Sequence, residues 1–174
     1  MRHGFVGARV AIVRARWNDE ITRGLAQGAL ERALAMRASV EEFEVAGSFE
    51  LPAAAAALAA TGRFDAIVPL GCLIRGETPH FDVLAHAVAR AMIDLSMTST
   101  AAIPFGVLTC DTPEQARARA GGERNVGAEA MAAALELAAL RHAIAASAAR
   151  ERRSSSTARS RSNRAKRTLS PGSR

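Results

Sequence analysis

Between Arg75 and His80 the chain reads Arg-Gly-Glu-Thr-Pro-His, residue types that can hold an anion and move a proton. Thr78 can cap a following helix, and Pro79 suits a first helical position, where its missing N–H needs no partner. Gly76 lets backbone approach a ligand closely. Free amides at a helix start make an anion site, so a phosphate or carboxylate could dock near Glu77 and Thr78; an ordinary capped helix has the same spacing. His80 falls in the first turn, where the helix dipole favours the neutral imidazole that a general base needs. A lone histidine also serves in structure or in solvent. Gly71 to Thr78 nearly spells a nucleotide-triphosphate loop, but Glu77 stands where that loop needs lysine. A carboxylate there repels phosphates, which argues against a nucleotide triphosphatase.

Three further polar clusters each follow an apolar run: Arg16-Trp17-Asn18, Gly47-Ser48-Phe49-Glu50 and Thr109-Cys110-Asp111-Thr112. Trp17, the only tryptophan, could close the core edge or stack on a flat heterocycle. Thr112 and Gln115 fit a capping box. Arg119 is either a solvated surface charge or a phosphate clamp. Cys72 and Cys110 read as small hydrophobes in or at the ends of strands. His3, His86 and His142 are scattered, and no His, Cys or carboxylate set has metal-ligand spacing, so no metal site is expected.

The elements that must position these clusters alternate strand and helix. Strands are expected at Val10–Val13, Phe43–Ala46, Ala66–Ile74 and Ala102–Thr109, with the third a continuous apolar run buried on both faces. Helices are expected from about Asp19 to Met36, Pro52 to Ala60, Thr78 to Met97, a short one from Pro113, and Gly127 to Ala149. Helix-length connections imply parallel pairing and right-handed crossovers, hence an α/β fold: a three-layer α/β/α sandwich around a four-stranded parallel sheet. Ligands in such sheets bind outside the carboxyl ends of the strands, and all four clusters fall there.

Charge divides the chain. Of 23 Lys+Arg and 17 Asp+Glu, residues 150–174 hold nine bases and one acid, leaving residues 1–149 mildly acidic. A basic nucleic-acid-binding domain is disfavoured, while a basic arm is not. Residues 1–149 are expected to form one domain. Residues 150–174 are expected to be a Ser/Arg-rich disordered tail, too poor in apolar side chains to offset its ordering entropy. The expected role of that tail is a solvated arm rather than a nucleic-acid ligand. No apolar run reaches the roughly 18 residues of a membrane span, and Arg9, Arg14 and Arg16 interrupt the N-terminal stretch against a secretory signal. Two cysteines make no disulfide framework, so a cytoplasmic location is expected.

Gly71-Cys-Leu-Ile-Arg-Gly-Glu-Thr-Pro-His-Phe-Asp82 closely resembles the signature of the lumazine synthase family, whose members perform the penultimate step of riboflavin biosynthesis. Arg16-Trp17-Asn18 with Ile21-Thr22, Ala46 to Pro52, Phe105 to Thr109, Glu114 to Ala116 and Arg119-Ala120-Gly121 agree in order and spacing. The resemblance covers about residues 8–140. It departs at Val126, where relatives usually carry a lysine, and at Ala118, where they often carry an acid.

The resemblance implies a flavodoxin-like sandwich that assembles into pentamers or multiples of them, with active sites shared between adjacent subunits and no cofactor. It implies condensation of 5-amino-6-(D-ribitylamino)uracil with 3,4-dihydroxy-2-butanone 4-phosphate to 6,7-dimethyl-8-ribityllumazine, releasing phosphate and water. By position, Trp17 stacks on the pyrimidine, Ser48, Phe49 and Glu50 hold the ribityl-bearing substrate, and the Cys72, Leu73 and Ile74 backbone completes that pocket. Phe105 comes from the neighbouring subunit. Glu77 and Thr78 cradle the phosphate, the neighbour's Arg119 clamps it, and His80 transfers protons. Two rival expectations are a family member that binds a flavin or lumazine without turnover, and a shell protein whose basic tails hold a partner.

Overall fold

The computed structural model describes the backbone of residues 7–168 and the side chains among them except 123 and 153–168. Strands β1 (Arg9–Ala15), β2 (Ser39–Val45), β3 (Ala66–Ile74) and β4 (Gly106–Cys110) form one parallel sheet in the order β2-β1-β3-β4. Helices α1 (Asp19–Ala35), α2 (Leu51–Ala60), α3 (His80–Thr98), α4 (Pro113–Ala120) and α5 (Val126–Thr168) make the connections and the C-terminal run.

Alternate strand residues supply two cores. Val10 and Ile12 of β1, with Val68, Leu70 and Cys72 of β3, pack under Leu25 and Ala29 of α1, Ala116 of α4 and Met131 and Leu135 of α5. Ala11, Val13 and Ile67 face the other way, toward Leu51 and Ala55 of α2 and Val88 and Met92 of α3. This is the expected three-layer α/β sandwich, with β3 buried along seven of its nine residues.

Three elements differ most from expectation. β2 begins four residues early, at Ser39, because Glu41, Glu42 and Glu44 on this exposed edge mask its apolar alternation. β4 begins late, at Gly106: Ala102 makes only a single parallel bridge to Ala66, and Pro104 has no N–H for a ladder. Helix α5 runs on to Thr168, so backbone expected to be disordered is helical through that residue. Extending an existing helix adds one hydrogen bond per residue fixed, and Ala, Arg and Lys favour it. Residues 169–174 of the expected tail lie outside the described residues.

The chain divides into two compact units, Met1–Ala139 and Leu140–Arg174. The first contains the sheet, α1–α4 and the start of α5. The second continues α5, with Leu140 and Ile144 exposed. Among the described residues, Val126–Arg152 is long enough, and in one 18-residue window with a mean hydropathy of 1.2 apolar enough, to cross a membrane by length and composition. Its alanines raise that value, and Ala130, Met131, Ala134, Leu135 and Ala138 are buried in the core. The sequence expectation that no stretch reaches membrane length is corrected to that extent.

Candidate active site at the sheet switch point

The chain leaves β1 toward β2 on one side, and β3 and β4 lie on the other. The carboxyl ends of β1 and β3 therefore flank the switch point, where such folds place ligands. Arg14 braces this edge from within. It is buried near the end of β1, forms ion pairs with Glu44 and, at 2.6 Å, with Asp19, and donates to Thr22 Oγ1 at 3.1 Å. Burial opposes its charge, and the two hydrogen-bonded carboxylates more than offset that penalty. Its guanidinium in turn holds the Asp19 carboxyl below the usual carboxylate range.

Beyond β1, the Arg16 and Trp17 amides donate to the Val45 and Ala46 carbonyls at 2.9 and 3.0 Å, extending the pairing with β2. Asn18 then turns the chain with a left-handed backbone, φ 58° and ψ 48°, which asparagine tolerates better than most residues. Its carbonyl accepts the Ile21 and Thr22 amides and starts α1, while its side-chain amide donates to the Cys72 carbonyl at 2.9 Å. Trp17 is 65% exposed, so its ring does not close the core. It lies against Gly47, where an added Cβ would come within 2.8 Å of the indole.

The turn after β2 is closed by Glu50, whose Oε2 accepts the Gly47 amide at 2.8 Å. Ser48 is buried against β3, and Phe49 is exposed. A Cβ on Gly71 would sit 2.6 Å from Ser48 Oγ, so glycine there is what lets this turn reach the strand. Cys72 is buried, and burial, with Cys110 adding, pushes its thiol up to about 12. Burial also raises Cys110, against the opposing charge of Arg119. Both cysteines thus act as neutral, small hydrophobes in strands, as their sequence context indicated. Leu73 and Ile74 are half-buried at the strand end.

Residues Gly76, Glu77, Thr78 and Pro79 form an exposed turn, and a Cβ on Gly76 would meet nothing within 4 Å. Helix α3 starts two residues later than the sequence suggested: Pro79, not Thr78, is the cap residue, and its carbonyl accepts the Asp82 and Val83 amides. Proline's fixed φ, here −61°, pre-sets that entry. His80 is thus the first helical residue and is exposed.

Phe105 is 45% exposed and lines a cavity of about 390 Å³ with Arg75, Phe81, Asp82, His86 and Asp111. Thr112 Oγ1 caps α4 by accepting the Gln115 amide at 3.3 Å, and Gln115 Oε1 accepts the Asp111 amide at 2.9 Å. The expected capping box is therefore present with its return bond displaced by one residue. Arg119 is exposed and donates to the Gln115 carbonyl of its own helix at 2.9 Å. Val126 opens α5 and packs, partly buried, against the core.

Within one chain, Trp17, Ser48, Phe49, Glu50 and Cys72 gather around the switch point, while Phe105 belongs to the neighbouring cavity. A larger cavity of about 620 Å³, lined by Gly24, Gly28, Ala120 and Asn125 among others, contains none of the sequence-predicted site residues. Sequence reasoning gave no role to Arg14 or Asn125, and it named Asn18 and Arg75 only as members of their clusters, without the contacts they make. Arg14 was legible as a charge inside an apolar strand. Asn125 donates to the Gly24 and Ala120 carbonyls at 2.8 and 2.7 Å and accepts the Ala128 amide, clipping α4 to α1 and capping α5. No spacing rule announces such a clip. Among the described residues, no three His, Cys, Asp or Glu side chains are grouped as metal ligands would be.

The polar clusters lie at the carboxyl ends of the strands, as their order in the sequence anticipated, and comparison with known proteins shows the family. A family model for 6,7-dimethyl-8-ribityllumazine synthase matches residues 7–142. The 6,7-dimethyl-8-ribityllumazine synthase of Anaeromyxobacter dehalogenans is 44% identical over 149 residues, covering 83% of this chain and 92% of the relative. That of Corynebacterium glutamicum is 45% identical over 135 residues, covering 76% and 84%. That of Thermus thermophilus is 44% identical over 142 residues, covering 79% and 90%. Matched along most of its length by the family model and by relatives at this identity, the chain belongs to the 6,7-dimethyl-8-ribityllumazine synthase family.

Proposed function

We propose that the protein condenses 5-amino-6-(D-ribitylamino)uracil with 3,4-dihydroxy-2-butanone 4-phosphate to 6,7-dimethyl-8-ribityllumazine, releasing phosphate and water. The observation that carries this reading is the open indole of Trp17 at the switch point, beside the Ser48–Glu50 turn and the end of β3. A flat ring with a polyol chain is the ligand such a surface suits. Trp17 stacks on the pyrimidine, Ser48, Phe49 and Glu50 hold the ribityl-bearing substrate, and the Cys72, Leu73 and Ile74 backbone completes the pocket. The amides of Glu77 and Thr78 cradle the phosphate in the exposed turn before α3, with the Glu77 carboxylate directed away from it. His80 shuttles protons.

The remaining groups come from a second copy. Phe105 of the adjacent subunit closes the pyrimidine pocket and its Arg119 clamps the phosphate, in a pentamer or a multiple of one. Imine formation, elimination of phosphate and ring closure require proton transfers and an anion site more than a strong nucleophile. Holding two reactants in contact supplies much of the rate, since effective molarities for well-oriented groups reach about 10⁵–10⁸ M. The neutral thiols fit a reaction with no cysteine nucleophile. The cytoplasm is the proposed compartment. The segment after Arg150 is proposed to lie outside the enzyme domain, so deleting it leaves assembly and turnover nearly intact.

The rival is a family member that binds lumazine or flavin without turnover, a reading that Val126 at the usual lysine position favours. Incubation with both substrates, followed by absorbance of the product, separates the two. Growth of lumazine supports the enzyme; saturable binding with no growth supports the carrier.

A further inference from the structure

Arg75 joins three elements around the exposed turn. Its amide donates to the Cys110 carbonyl at 2.9 Å, continuing the β3–β4 pairing past the end of both strands. Its Nε donates to Asp111 Oδ1 at 2.8 Å, in the turn between β4 and α4. Its Nη1 donates to Asp82 Oδ2 at 2.9 Å, in the first turn of α3. The guanidinium carbon also lies 4.3 Å from the centre of the Phe81 ring. Between Arg75 and this first helical turn lie Gly76 to Pro79, all exposed, with open space at Gly76. The fork thus closes the loop from residue 75 to residue 82 across its base.

We propose that Arg75 is a positioning residue that holds the 76–79 turn open toward a phosphorylated substrate without itself binding the phosphate. The inference rests on the reading that Glu77 and Thr78 receive that phosphate. Both fork donors, Nε and Nη1, are already committed to carboxylates, and the cation is neutralised by two of them, so it offers little attraction to a third anion. Its geometry instead sets the span over which the turn's amides are presented. A planar guanidinium with diverging N–H groups reaches two carboxylates in fixed directions, which the single ammonium of lysine does not. Exposed ion pairs contribute little to folding stability, so loss of the fork shifts the turn more than it unfolds the chain.

The test uses the full-length protein with Arg75→Lys, Asp82→Asn, Asp111→Asn and the double asparagine variant, measured with both substrates and by thermal unfolding. The expected result is a rise of about tenfold in KM for the butanone phosphate in Arg75→Lys and in the double variant, with KM for the pyrimidine and the melting temperature nearly unchanged. The double variant should resemble Arg75→Lys, because both open the same fork. If the asparagine variants instead tighten the butanone phosphate, the freed guanidinium is a direct ligand and the proposal is overturned. Equal changes in both KM values alongside a lower melting temperature also overturn it, as a structural role only. If the wild-type protein forms no lumazine, the functional reading fails instead. Inorganic phosphate binding, weakened in Arg75→Lys relative to wild type, then still tests the positioning role, and equal binding overturns it.

Discussion

The Asn18 side-chain amide donates to the Cys72 carbonyl at 2.9 Å, tying the loop that carries Trp17 to the end of β3. This one bond crosses the switch point and sets the distance between an exposed indole and the strand end that faces it. It also gives a partner to the Cys72 carbonyl, which lies past Leu70, the last residue of β3 paired with β1. The left-handed backbone of Asn18 makes the residue hard to replace, because a Cβ-bearing residue without a short amide pays about 1–2 kcal/mol there.

Asn18→Ala should therefore lower stability by about 1–2 kcal/mol and raise KM for the pyrimidine more than KM for the butanone phosphate. Asn18→Gly relieves the backbone but not the lost bond, so it should recover stability and keep the raised pyrimidine KM. Denaturant unfolding with steady-state kinetics measures both. Unchanged pyrimidine KM in both variants would separate this bond from the pocket.

His80→Ala should slow turnover by roughly one to three decades without abolishing it. General acid–base help is typically worth about 10²–10⁴-fold, and approximation of the two substrates remains in the variant. Single-turnover measurement isolates the chemical steps. A variant with the wild-type rate constant would remove His80 from proton transfer.

The Cys72 thiol ordinarily loses its proton near 9.0 and in the fold retains it to about 12. Above pH 9 the unfolded chain binds fewer protons than the native one, so stability falls as pH rises through this window. Cys72→Ala removes that contribution and should flatten the alkaline decline of the urea midpoint. The raised Cys110 adds a decline of the same sign, so some slope remains. An equally steep decline in Cys72→Ala would show that the thiol is not its source.

Neither Trp17→Ala nor Arg119→Ala subunits should be active alone, since each spoils every site in its own assembly. After verified subunit exchange, mixed assemblies contain interfaces with an intact Trp17 on one side and an intact Arg119 on the other. Part of the activity should then return. No recovery would place both residues in a site built from one chain.

Much of this was legible in the sequence because the buried elements carry unambiguous patterns. The apolar run Ala66–Ile74 was expected residue for residue as β3, and the clusters after each strand marked the edge of the sheet at which they gather. What was illegible depends on long-range partners. β2 is an edge strand whose glutamates hide its register, and Arg75 finds Asp111 only because β3 and β4 end side by side. The start of α3 was misplaced because threonine before proline has the look of a cap, while the chain turns at Pro79 instead. The helical path of α5 beyond residue 149 was missed because composition weighs burial and not the continuation of a helix already formed.

The most direct measurement follows lumazine and inorganic phosphate together in one reaction containing both substrates and the purified protein. The account predicts that both rise at the same rate, one phosphate for each lumazine, and that neither rises above the uncatalysed background when the pyrimidine is omitted. Phosphate released without lumazine, or no product above background at saturating substrates, would contradict it.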